Sequence, residues 1–271
     1  GGELFLDGQP LDAHKYYIIL PDAIGTGASS KPSDGLRANF PQYNYDDMVS
    51  AQYRLVTEGL GVKHLRVIVG NSMGGMQTWL WGIRYPAFMD ALVPLASMPI
   101  EMSGRNWMMR KFISESIRRD PAWQHGNYTE QPTGTQFTSV FYGLATNGGS
   151  QALQKQAPTS DSGDALIAKR LSDPFTMDTN DFLYQWESSK DYNPKNLENI
   201  RAYVLAINSE DDERNPPSLG VMERELPRIQ HASFYLIPAS EETIGHSTTG
   251  KAKWWKKQFA EFLQGVPVQQ E

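Results

Sequence analysis

The chain has 271 residues, 39% hydrophobic and 21% charged, with a formal net charge of −6. This is enough chain for a sizeable core and ordinary for a globular protein, and nowhere does it reach the roughly eighteen consecutive apolar residues of a membrane span. The acidic balance without a basic block argues against nucleic acid or an anionic membrane as partner, and the lack of cysteine excludes disulfides, thiolate nucleophiles and cysteine zinc sites.

The chain opens on Gly1-Gly2 and not on methionine. The expectation is a natural start upstream, with room there for a targeting segment, so cytoplasm and periplasm both stay open. Residues 1–15 are polar and turn-rich. Residues 16–20 form an apolar run that reads as a strand, ended by Pro21-Asp22. Residues 23–35 are a loop rich in Gly, Ser and Pro. Asn44 can start a helix carrying Met48, Ala51, Gln52, Leu55 and Val56 at helical spacing, with Gly59 and Gly61 at its end. Residues 65–69 are a β-branched run of buried-strand length. Gly70-Asn71-Ser72-Met73-Gly74 then fits G-x-S-x-G, and residues 76–85 read as helix. A further strand follows at 91–95.

Over residues 99–197 the alternation of strand and helix stops. The pattern there is helical, with helices predicted at 105–119, 165–171 and 179–190, the last anchored by Phe182, Tyr184 and Trp186. Strand pattern resumes at 202–207. A helix is predicted at 216–228 with proline in its first turn, a strand at 233–237 and a closing amphipathic helix at 251–263. Alternating strands and helices imply an α/β fold, a mostly parallel sheet with helices on both faces. Residues 1–98 and 198–271 make its core. Residues 99–197 are then a helical cap or lid, inserted after the strand that follows the G-x-S-x-G turn.

G-x-S-x-G alone is a weak signal, because glycine and serine are common. The strand before it and the helix after it supply the context of a nucleophile elbow. Such a turn strains the serine backbone, and side chains at Gly70 and Gly74 are expected to collide with neighbouring chain. The hydroxyl is held clear of the sheet, above a helix N-terminus that favours negative charge.

A serine hydroxyl needs a base, and the base needs a group to orient it. Of the five histidines, His14, His64, His125 and His231 sit in surface-like settings. His246 lies in I-G-H-S-T-T-G, between the last strand and the last helix. That loop falls at the carboxyl edge of a parallel sheet, where ligands bind, which makes His246 the candidate base. The acid belongs after a strand, between serine and histidine. There Glu210, Asp211, Asp212 and Glu213 are all available, in a run that also reads as a solvated loop at a helix N-terminus. No histidine or carboxylate cluster has metal-ligand spacing, and Gly70 to Gly75 lacks the lysine of a phosphate loop. No metal and no cofactor are expected.

With these residues in view the chain resembles the α/β-hydrolase superfamily, and within it the homoserine O-acetyltransferase-like group. The most specific match is Ser72-Met73-Gly74-Gly75-Met76-Gln77. Gly25-x-Gly27-x-Ser29-Ser30-x-Pro32 with Asp34-Gly35 and Phe40-Pro41, Asp47-Met48-Val49 with Gln52, and Phe182-Leu183-Tyr184 support it. So do Asp212 with Pro216-Pro217, and Gly245-His246. The resemblance implies Ser72 as nucleophile, His246 as base, Asp212 as the orienting acid and the Met73 backbone N–H as an oxyanion donor. The substrate pocket is expected to include Asn71, beside the nucleophile, and Gln77, with Trp107, Tyr184 and Trp186 as an apolar wall from the cap, on the strength of the cap's position and aromatic content. The substrate class implied is a small acyl ester or thioester. A hydrolase of the esterase type is the favoured reading, an O-acetyltransferase using acetyl-CoA the alternative, and a catalytically silent binding protein of this fold the rival of another class. A homodimer is one assembly left open. The chain departs from the acetyltransferases at Asn71, where they carry glycine, in a longer and more charged acid loop, and in Ser247-Thr248-Thr249-Gly250 after the base. The family also has about three strands and a His-Gly turn ahead of the counterpart of residues 16–20.

Overall fold

The computed structural model describes residues 2–268. Gly1, on which the expectation of an upstream start rests, lies outside them. Helix α1 (Tyr45–Arg54) begins with a reciprocal cap: Asn44 Oδ1 accepts the Asp47 N–H at 2.9 Å, and the Asp47 carboxylate accepts the Asn44 N–H at 3.1 Å. A single wide turn, Leu55–Gly59, carries it to the end that the glycines mark. Then come β1 (Leu65–Asn71), α2 (Met73–Arg84) and β2 (Met89–Leu95). Five helices follow without an intervening strand: α3 (Gly104–Arg119), α4 (Gly134–Thr146), α5 (Ser150–Gln156), α6 (Ser160–Ser172) and α7 (Thr179–Glu187). The chain closes with β3 (Tyr203–Ser209), α8 (Val221–Glu225), β4 (Ala232–Ile237) and α9 (Lys256–Gly265).

The four strands pair in chain order, and every pairing is parallel. Alternate residues serve opposite faces, as the pleat requires. Leu92, Val204 and Ala206 pack with Met48 of α1 and with Trp79 and Leu80 of α2. Ala91, Val93, Leu205 and Ile207 pack instead with Trp255, Phe259 and Leu263 on the α9 side. A third cluster, Ile113, Ile117, Trp123, Tyr128, Tyr142, Phe182 and Leu183, lies wholly within the helical stretch between β2 and β3.

Several expectations are corrected. Residues 16–20 form a bend followed by irregular chain and, among the described residues, pair with no strand. A strand exists through its partner's hydrogen bonds, and between this segment and β1 there is an apolar slot of about 650 Å³. Tyr17 and Leu20 are 72% and 74% exposed. The helix expected at 216–228 is three short pieces, Pro217–Leu219, Val221–Glu225 and Leu226–Arg228. Gly220 breaks it in the left-handed region at φ 59°, and Pro227 cannot donate to a helix interior. The closing helix starts at Lys256, after a short turn Ala252–Trp254.

At the start of α2, Gly70 and Gly75 let the helix approach the sheet. A Cβ on Gly70 would sit 2.1 Å from the Gly74 carbonyl oxygen. One on Gly75 would sit 2.5 Å from the Leu95 carbonyl oxygen and 2.6 Å from Ser97 Oγ. A Cβ on Gly74 would meet nothing within 4 Å, which corrects the expectation for that position. Gly70→Ala and Gly75→Ala are therefore each expected to lower unfolding free energy by about 1–3 kcal/mol, the usual cost of overpacking. Gly74→Ala is expected to change it by no more than about 0.5 kcal/mol, or to gain from better helix propensity. Urea unfolding of the three variants checks this, and equal losses at all three would refute it.

Candidate active site

Ser72 joins β1 to α2 with φ 55°, a conformation that costs a non-glycine residue free energy. Its N–H donates to the Leu95 carbonyl at 2.9 Å, which fastens the turn to the end of β2. Met73 is the first residue of α2, so its N–H has no acceptor within the helix. The Ser72 hydroxyl lies 2.7 Å from His246 Nε2. His246 is buried in a tight 3-10 turn, Gly245–Gly250, beyond β4. Its Nδ1 lies 3.0 Å from both oxygens of the buried Asp212 carboxylate. A proton on Nδ1 facing that carboxylate leaves the Nε2 lone pair facing the serine.

Each of the four carboxylates in the acid loop has its own partner. Glu210 accepts the Ala239 N–H at 2.9 Å. Asp211 accepts from Thr243 Oγ1 at 2.7 Å and from the Gly245 N–H at 3.2 Å, which pins the loop that carries His246. Asp212 faces His246, and Glu213 pairs with exposed Arg105 at 2.8 Å. Asn215, which the sequence reading passed over, completes the acid's surroundings. Its backbone N–H and side-chain amide donate to Asp212 at 3.1 Å each, and the amide also reaches the Ala96 carbonyl at 2.9 Å. Nothing in its sequence neighbourhood marks it except its place between Asp212 and the prolines.

Burial pushes the Asp212 carboxyl up, but the neighbouring His246, Asn215 and the Arg214 N–H outweigh it and hold the group below its ordinary value. His246 is moved down, chiefly because burial disfavours the imidazolium more than Asp212 favours it. The resting pair is thus a carboxylate and a neutral imidazole.

The remaining histidines are occupied elsewhere. His14 and His64 lie against Asp12 at 3.0 Å and Asp90 at 2.7 Å. His125 packs beside Trp123, and His231 stacks on Tyr203. The five residues expected at the pocket separate. Asn71 and Gln77 line the slot beside β1. Asn71 Oδ1 accepts from Thr249 Oγ1 at 2.7 Å, tying the elbow to the loop after the base. The buried Gln77 amide is committed to Gln52 and Met48. Trp107 packs on the α1–α2 side of the core. The Tyr184 hydroxyl donates to the Phe40 carbonyl at 2.8 Å. Trp186 lies in the helical stretch beneath the Arg110 and Arg214 guanidinium groups. Among the described residues one trio, Asp7, Asp12 and His14, brings metal-ligand atoms within 4.8 Å of one another. Its Asp12 is already taken by the Gly8 and His14 N–H groups, which hold its carboxyl at about 2.

The family model described as "alpha/beta hydrolase fold" matches residues 7–244. The ethyl acetate hydrolase of Pseudomonas veronii is 38% identical over 126 residues, 45% of this chain and 36% of that protein. The homoserine O-acetyltransferase of Solidesulfovibrio magneticus is 41% identical over 129 residues, 45% of this chain and 32% of that one. The match thus spans about a third of the length of these two relatives. The solved homoserine O-acetyltransferase of Bacillus anthracis superposes with a TM-score of 0.80 at 21% identity, over 99% of this chain and 82% of that one, a likeness of fold. By its matched sequence and its parallel sheet flanked by helices, the chain belongs to the alpha/beta hydrolase fold family.

Proposed function

We propose that this chain is a serine acyl-transfer enzyme acting on a small ester or thioester, most simply as an esterase. The observation that carries the proposal is the unbroken hydrogen-bonded line from Ser72 through His246 to Asp212. Ser72 Oγ attacks the carbonyl carbon while His246 Nε2 takes the hydroxyl proton. Asp212 keeps the imidazole oriented and stabilises its charged form. The Met73 N–H, at the positive end of α2, donates to the oxygen that gains charge, and one such donor supplies about 3 kcal/mol. His246 returns the proton to the leaving group, and water or an alcohol then takes the acyl group from Ser72.

Hydrolysis is the favoured outcome. The ethyl acetate hydrolase is among the similar proteins, and Asn71 with its Thr249 bond stands where the acetyltransferases carry glycine. The helical stretch 99–197 serves as the cap. Its turn at Gly148 and Gly149 presses on Gly245, beside the base. All three reacting side chains come from one chain, so the chemistry requires no dimer. No helix among the described residues is long and apolar enough to cross a membrane.

Ser72→Ala should abolish p-nitrophenyl acetate turnover and fluorophosphonate labelling with an unchanged circular dichroism spectrum; wild-type rates in that variant would reject the nucleophile. Asp212→Asn should slow turnover by on the order of ten-thousandfold. Asp211→Asn, which loosens a loop without touching His246, should cost at least a hundredfold less, and the reverse ranking would move the acid by one residue.

Because His246 must be neutral to accept the proton and its pKa is moved down from 6.5, kcat/KM should hold as pH falls through 6.5 and drop only below it. An acid limb centred above 6.5 would contradict a buried, neutral base. Incubation with homoserine and acetyl-CoA should give far less O-acetylhomoserine than free acetate by mass spectrometry. A tenfold excess of O-acetylhomoserine, about 1.4 kcal/mol of barrier difference, would replace the esterase with the acetyltransferase.

A further inference from the structure

The two oxygens of the buried Asp212 carboxylate are held differently. Oδ1 accepts two backbone N–H groups, from Arg214 at 2.8 Å and from Asn215 at 3.1 Å. Oδ2 accepts the side-chain amide of Asn215 at 3.1 Å. His246 Nδ1 lies 3.0 Å from either oxygen. Among the described residues Oδ2 has no donor besides that amide and the imidazole, and a buried carboxylate oxygen is costly without donors.

The Asn215 amide has a second commitment. Its nitrogen also donates to the Ala96 carbonyl at 2.9 Å. Ala96 stands just past the end of β2, in the left-handed region at φ 47°, and its own N–H donates to the Ile207 carbonyl at 2.9 Å. Such strained backbone persists only where its surroundings hold it. The residue before it is Leu95, whose carbonyl accepts the Ser72 N–H at 2.9 Å. The contacts therefore close a ring. From Ser72 it runs through His246 and Asp212 to Asn215, and then through Ala96 and Leu95 back to Ser72. One half of the ring contains the groups that exchange the proton. The other half is fixed structure, and it ties the acid to the nucleophile without passing through the base.

An amide suits this position for a chemical reason. The Ala96 carbonyl and Asp212 Oδ2 are both acceptors, so one nitrogen with two N–H groups can serve both. Turned about, the amide would set its own oxygen against two others. An ionised aspartate or a leucine offers no donor there, and a serine hydroxyl offers one. Asn215 is itself anchored to the sheet: its backbone carbonyl accepts from Asn208 Nδ2 of β3 at 2.8 Å.

Resting on the acyl-transfer reading, we propose that Asn215 is a positioning residue for that reaction, its amide holding Asp212 Oδ2 against the end of β2 so that His246 keeps its aim at Ser72. Without the amide the carboxylate keeps its hinge at Oδ1 but is free to turn at Oδ2, and the imidazole turns with it.

Asn215→Leu removes both donors at nearly the same volume, and Asn215→Ala guards against overpacking. On p-nitrophenyl acetate each should lower kcat by about ten- to hundredfold, the cost of a small misplacement of a reacting group, and change KM by less than about twofold. A cycle with Asp212→Asn tests the route. Once the carboxylate is gone Asn215 has nothing left to position, so adding Asn215→Leu to Asp212→Asn should cost less than about twofold. A third readout needs no substrate. By NMR, the proton on His246 Nδ1 should give a downfield ring N–H signal in wild type, assigned by its absence from His246→Gln. That signal should broaden or move upfield in Asn215→Leu, with circular dichroism unchanged.

Wild-type kcat in both single variants, a change confined to KM, or a loss as large beside Asp212→Asn as alone would overturn the proposal and leave the acyl-transfer reading standing. Loss of the folded circular dichroism spectrum in both variants would make Asn215 a folding element and overturn it as well. A wild-type protein that turns over no ester, yet whose ring N–H signal depends on Asn215, would reject the acyl-transfer reading and keep the positioning of His246.

Discussion

The Leu95 carbonyl at the end of β2 accepts the Ser72 N–H at 2.9 Å, and the same oxygen is what a side chain on Gly75 would strike. That crowded point sets where α2 begins and forces Ser72 into the left-handed region. Parallel register does the rest. β1, β2, β3 and β4 all run the same way, so the residues just past each carboxyl end gather along one edge. Ser72 follows β1, the Asp211–Asp212 pair follows β3, and the His246 turn follows β4. Three segments far apart in sequence meet because the strands share a direction.

The elbow and the histidine were legible because each announces itself locally, by a glycine pattern between a strand and a helix or by a loop between the last strand and the last helix. The acid was not singled out by its own chemistry, since four consecutive carboxylates look alike. What separates them is three-dimensional: Asp212 alone of the four points at His246, while its neighbour Asp211 is spent on Thr243 and Gly245. The glycine misassigned at 74 shows a related limit. A pattern says that small residues are needed, but the phase of the helix decides that position 75 faces the sheet. Residues 16–20 fail for another reason. An apolar run measures appetite for burial, whereas a strand also needs a partner for its backbone, and between this segment and β1 lies a slot.

The helical stretch was readable as helical, yet α4 escaped notice. Its sequence, Gly134–Thr146, is rich in glycine, threonine and aromatic residues of middling helix propensity. Tertiary contact holds it: Tyr142 belongs to the third apolar cluster, and Thr138 shares a hydrogen bond with Ser116 of α3. The same helix carries Tyr142 toward Arg214. Side chains that no local signal marks are thereby brought against the acid loop.

Residues 96–202 intervene between β2 and β3, although the two strands are neighbours in the sheet. Joining the ends of so long a chain carries an entropic cost that grows with the logarithm of its length. The stretch has an apolar cluster of its own, so it can collapse by short-range contacts and shorten the effective loop before the strands meet. Topology therefore makes the order of folding uneven. β1 pairs with β2 across a single helix, whereas completing the sheet waits on the compaction of the insertion.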